Sequence, residues 1–198
     1  MAFQRKLLPW KLCLETCAMP SIPVASGGLQ SLCASVQAAQ MNAARALLRE
    51  LAASVAQAGD MLQGLPTDLR AGRAESYTRH VAYADPHGAF TMVYLIWRPG
   101  QFSPVHGHKT WCTYQVLQGE LTETHYRWDH ESATAQACGV VARRPGDIVT
   151  ATQGLRQIHR LGNAGTEIAV SLHIYGVAQG DLCTGVNHLV DRISPSTG

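Results

Sequence analysis

The spacing of hydrophobic positions divides the chain into a helical part and a longer part of short strands. From Gly28 to about Gln57, Leu29, Leu32 and Val36, then Leu47, Leu48, Leu51 and Val55, recur at three- and four-residue steps with alanine between them. Gly59, Gly64 and Pro66 close that stretch. The spacing predicts two or three short helices whose leucines face a core. After Glu75 the helical spacing gives way to short segments of β-branched and aromatic residues. Phe90 to Trp97, Leu121 to Trp128, Ala135 to Arg143, Asp147 to Ala151 and Ile168 to Tyr175 are rich in Thr, Val, Ile and aromatic residues, and Pro99-Gly100, Pro145-Gly146 and Gly162-Asn163 punctuate them. Many strands after a helical start predict a mainly β fold, a small jelly-roll barrel with N-terminal helices packed outside it.

Composition narrows the picture. The 198 residues, 46% apolar and 15% charged, suffice for one domain with a sizeable core. A net charge of +2, without a long run of Lys or Arg, argues against nucleic acid as a partner. No stretch has the apolar length of a membrane-spanning helix. Six cysteines, with no paired zinc-ribbon spacing, read as reduced thiols of a cytoplasmic protein. Residues 1–25 look unlike the rest. Their apolar run from Leu7 to Leu14 is interrupted by Pro9 and Lys11 and followed by Glu15, so they read as a loosely ordered extension rather than a leader, with a single domain over 26–198.

Three places carry candidate chemistry. His106 and His108 lie two apart, a spacing that on a strand turns both imidazoles to one face where one metal ion can take both; two solvated loop histidines would have the same sequence. Tyr77 and Arg79 are also two apart and would aim a phenol and a guanidinium at one carboxylate, although a plain surface strand reads the same way. In Ile168 to Tyr175 the alternation places Ala169, Ser171, His173 and Tyr175 on one face. Such a face meets solvent at a sheet edge or lines a cavity.

Longer spacings connect these places. Gly100, five residues, His106-Gly107-His108, three residues, Cys112, six residues and Gly119 resemble the first motif of the cupin superfamily, with Cys112 where that motif has glutamate. Gly139, Pro145-Gly146, His159 and Asn163 resemble the second. A three-histidine cupin with cysteine at the carboxylate position is similar to the thiol dioxygenases, typified by cysteine dioxygenase. Tyr77-Thr78-Arg79 and Ser171-x-His173-x-Tyr175 match further signatures of that family.

The resemblance implies a cupin barrel, a double-stranded β-helix, that binds Fe(II) through His106, His108 and His159. It implies that Arg79 with Tyr77 binds the substrate carboxylate, and that Tyr175, held by His173 and Ser171, points at the metal. Cys112 is implied as the partner of Tyr175 in a possible thioether. Cys183 corresponds to a family cysteine near the substrate. The expected reaction is oxidation of L-cysteine to its sulfinate by dioxygen, with 3-mercaptopropionate or another mercapto-acid as alternative substrate. A metal-binding cupin without oxygenase activity, an isomerase or effector-binding module, is the alternative of another class. The expected partners are the small thiol and dioxygen, and the expected assembly is a monomer or small homo-oligomer.

Overall fold

The computed structural model describes residues 27–194. The expected extension, the boundary at residues 25 and 26, and Cys13 and Cys17 lie outside the described residues. Chain compactness separates residues 1–40 from 41–198, and the division falls inside the first helix. That helix, α1, runs Gly27–Gln57 as one 31-residue element where two or three were expected. Nothing between Gly28 and Gln57 can break it: the stretch contains neither proline nor a further glycine and is rich in alanine. Its leucines also depart from expectation. Leu48 and Val55 are buried, whereas Leu29, Leu32, Val36 and Leu47 are exposed.

Within residues 41–198, the helix is followed by two 3-10 turns, Met61–Gly64 and Thr67–Ala71, and then by strands. These are β1 (Thr78–Ala84), β2 (Thr91–Trp97), β3 (His106–His108), β4 (Cys112–Gln118), β5 (Leu121–Asp129), β6 (Thr134–Arg143), β7 (Ile148–Ala151), β8 (Gly154–Gly162), β9 (Ala169–Tyr175) and β10 (Asn187–Leu189). They form two five-stranded antiparallel sheets, ordered β1-β2-β9-β4-β7 and β10-β3-β8-β5-β6. The mainly β barrel with an N-terminal helix is therefore present.

The centre of the first sheet, β2 and β9, is buried on both faces, which explains why the sequence of β2 is almost continuously apolar rather than alternating. Val93, Leu95 and Trp97 face the interior with Tyr114, Val116, Leu121 and Leu161. Tyr94 and Ile96 point the other way, where Leu65, Met61, Leu62 and Leu69 of the 3-10 turns cover them together with Val170 and Leu172. The Tyr94 hydroxyl ends this packing by donating to the Met61 carbonyl at 2.7 Å. β9 lies between β2 and β4, at the centre of the sheet, so its polar face cannot be that of a solvated edge.

Candidate active site

β3 and β8 pair so that His106 lies directly opposite His159, and a bulge follows before His108 meets Gly154. The glycine between the two histidines is required by this close approach: a Cβ on Gly107 would stand 2.5 Å from the Gly154 carbonyl oxygen. His106, His108 and His159 are all buried, with ligand nitrogens within 4.8 Å of one another. His106 Nδ1–H donates to the Pro104 carbonyl at 2.9 Å, and His159 Nδ1–H donates to Glu123 Oε1 at 2.6 Å. Each bond places the proton on Nδ1 and leaves Nε2 as a bare lone pair. His159 Nε2 and His108 Nδ1 are buried without a hydrogen-bond partner.

Burial, reinforced by the neighbouring His159, holds His106 at about 4 and His108 at about 3, so both are neutral near pH 7. Three converging imidazoles, one with a buried ring nitrogen that has no partner, fit a first-row divalent cation. The site is therefore suited to a metal ion.

The same cavity is lined by Tyr77, Arg79, Cys112, His173 and Tyr175. Tyr77 stacks on Trp97, with ring centroids 4.5 Å apart, and its hydroxyl accepts from Arg79 Nη2 at 2.7 Å. That leaves the phenolic proton and the remaining guanidinium donors for another acceptor. On β9 the polar residues form a chain. Trp97 Nε1–H donates to Ser171 Oγ at 2.9 Å, and Ser171 lies 2.9 Å from His173 Nε2, while His173 Nδ1 lies 3.0 Å from the Tyr175 hydroxyl. All these donors are used if the serine proton goes to His173 Nε2 and His173 Nδ1–H goes to Tyr175. The Tyr175 proton is then directed away from the chain. Burial keeps Tyr175 protonated and His173 neutral.

Cys112 reaches the cavity by a route the sequence did not reveal. Counting residues by twos from His106 treats His106 to Cys112 as one regular strand, but β3 and β4 belong to different sheets. Residues 109–111 make the crossing. Lys109 N–H donates to the Val186 carbonyl, Thr110 Oγ1–H donates to the Gly176 carbonyl at 2.9 Å, and Gly176 N–H donates to the Trp111 carbonyl. Cys112 is thereby placed directly opposite Tyr175 across β4 and β9. Its thiol is buried, and burial raises it well above its ordinary range. Cys183 is exposed and is not among the cavity residues.

Two participants were missed by the sequence reading. Asn187, on the three-residue β10, lines the cavity opposite His108. Glu123 on β5 is a buried carboxylate touching His159. The strictly inward parity of Leu121 and Glu123 was a signal, since a charge alternating with an interior leucine must be paired. Burial opposes its ionisation, but the bonds to His159 and Arg143 outweigh that and hold Glu123 at about 2. The partly exposed His125 stands 3.6 Å from the same carboxylate.

Comparison with known proteins adds an independent line. Residues 34–179 match the family model for cysteine dioxygenase type I. Cysteine dioxygenase type 1 of Danio rerio is 29% identical over 104 residues, covering 50% of each protein, and that of Homo sapiens is 29% identical over 103 residues with the same coverage. The chain thus matches about half the length of these curated relatives. A Klebsiella pneumoniae protein with a double-stranded β-helix domain aligns with TM-score 0.44 and 21% identity, covering 65% of this chain and 96% of that one.

Proposed function

Since the chain belongs to the cysteine dioxygenase type I family, we propose that it is an Fe(II)-dependent thiol dioxygenase that oxidises L-cysteine to cysteine sulfinate. The observation that carries this reading is that the three-histidine cluster and Arg79 line the same small cavity. A carboxylated thiol can then be held by both ends. The four described cysteines are free, in keeping with a reducing compartment such as the cytoplasm.

His106, His108 and His159 would hold the iron through their ring nitrogens, and Fe(II) bound there would supply a centre at which a thiolate and dioxygen could meet. Arg79 binds the carboxylate with its free donors while Tyr77 fixes its position. Tyr175 donates its proton into the cavity, where it bonds an oxygen of the substrate or of dioxygen. Trp97, Ser171 and His173 hold that hydroxyl in place. The product gains both atoms of dioxygen at sulfur and needs no external reductant.

The test is oxygen uptake by iron-loaded protein with cysteine, 3-mercaptopropionate, mercaptosuccinate and cysteamine. Fastest uptake with cysteine, with one sulfinate formed per dioxygen, supports the proposal. A preference for 3-mercaptopropionate would reassign the substrate, and tight metal binding without uptake on any thiol would refute the oxygenase reading.

A further inference from the structure

Glu123 is the buried ionisable group to which this chemistry gives no task. It is 2% exposed, and every oxygen is occupied. Oε1 accepts from His159 Nδ1 at 2.6 Å; Oε2 accepts from Arg143 Nε at 2.7 Å, Arg143 Nη2 at 2.6 Å and the Tyr114 hydroxyl at 3.2 Å. The strand register builds this arrangement. Leu121 of β5 pairs with Arg143 of β6, which sets Arg143 diagonal to Glu123, and His125 of β5 pairs with His159 of β8, two residues along on the same face.

The three histidines differ in what stands behind them. His106 gives its outer N–H to a neutral backbone carbonyl, and His108 Nδ1 has no partner. Only His159, of the three, is backed by a charge. The converging group contains no carboxylate, and among the described residues the carboxylate hydrogen-bonded to one of its imidazoles, Glu123, is placed to compensate a dipositive ion. A hydrogen-bonded carboxylate fixes the tautomer and ring orientation of a ligating histidine and makes its other nitrogen a stronger donor. An Arg143–Glu123 ion pair that served stability alone would not need its second oxygen on His159.

We infer that Glu123 is a positioning residue of the metal site, orienting His159 and strengthening its hold on a divalent cation, with Arg143 and Tyr114 fixing the carboxylate. The inference rests on the three-histidine reading and adds the residue that sets the affinity of that site.

The experiment is anaerobic Co(II) titration of the full chain against a competing chelator, for the parent protein, Glu123→Gln and Arg143→Gln, alongside thermal unfolding of each metal-free protein. The parent is expected to bind one ion per chain. Glu123→Gln should weaken binding by about 10- to 100-fold, the range for removing such an outer partner. The Co(II) form of the parent should show a slowly exchanging, hyperfine-shifted N–H proton from His159, which shifts or broadens in Glu123→Gln. Arg143 is partly exposed, so Arg143→Gln provides a second variant if the first does not fold, with a smaller loss of affinity in the same direction. An unchanged Co(II) affinity in folded Glu123→Gln, or in Arg143→Gln where the first is unfolded, would overturn the inference, and a fall in metal-free stability alone would make the group structural. A parent that binds no metal would remove the proposed function as well, whereas parent binding with unaffected variants removes only the role of Glu123.

Discussion

Arg79 is anchored on one side, by Tyr77, and is otherwise exposed at the cavity, so its hold on a carboxylate is weaker than that of a fully dry ion pair. A charge-assisted bond in that setting is worth about 1.5–3 kcal/mol. Arg79→Ala should therefore lower kcat/KM for cysteine by roughly 10- to 100-fold and leave the low turnover of cysteamine, which lacks a carboxylate, nearly unchanged. Equal losses on both thiols would show that Arg79 supports the fold or the metal rather than the carboxylate. Tyr77 and Arg79 were legible through the resemblance of Tyr77-Thr78-Arg79 to a family signature, since the two-residue step alone reads equally as a surface strand and Tyr77 lies just ahead of β1. Glu123 was not, because its partners His159 and Arg143 come from strands 36 and 20 residues away, and neither pairing has a local pattern.

At the scale of elements, β9 was readable in its alternation, which placed Ser171, His173 and Tyr175 on one face, but only the sheet order, with β9 at the centre, decides that this face turns inward rather than to solvent. The segment from His106 to Cys112 was readable only in its ends. Three residues carry the chain from one sheet to the other, which alternation cannot register because it assumes a continuous strand. Helix α1 failed in the opposite direction, since periodic leucines suggest a buried face whether or not anything covers it. The register that emerged has a chemical consequence. Directly opposed residues in an antiparallel pair hold their Cβ atoms about 4.5–5.5 Å apart, so the Cys112 thiol and the Tyr175 ring start as neighbours. Aerobic turnover of the iron-loaded protein is expected to join a fraction of them through a thioether, with two hydrogens lost as dioxygen is reduced. Peptide mapping should find the two peptides linked and resistant to thiol reductants, and Cys112→Ser should abolish the linked species while retaining thiol-dependent uptake. Linked peptides that persist in Cys112→Ser would rule out this pairing.

For residues 41–198 taken together, the cost of the site is the gathering of several ionisable groups in one dry interior. His106, His108 and His173 are neutral and buried, and all three are held below the ordinary histidine range, chiefly by burial. An unfolded chain would protonate the same side chains near 6.5. As pH falls below that value the unfolded state takes up protons that the folded state refuses, and stability must fall with it. Holding His106 at about 4 corresponds to about 3 kcal/mol at pH values below both states' titrations. His108 acts in the same direction, although the histidines titrate together and their effects do not simply add. Glu123 extends the loss to lower pH: its folded value of about 2 lies below the ordinary carboxylate value, so its contribution is complete above about 4.5 and disappears as pH falls toward 2. The metal-free protein should accordingly show a urea midpoint that is nearly level above about pH 7 and declines continuously from about 6.5 to 3. His106→Asn should flatten the upper part of that decline, because it removes one of the groups that charge only on unfolding. A midpoint that stays constant or rises as the pH drops from 6.5 to 4 would mean that the cluster protonates without unfolding, and that the three imidazoles are more open to water than their burial implies.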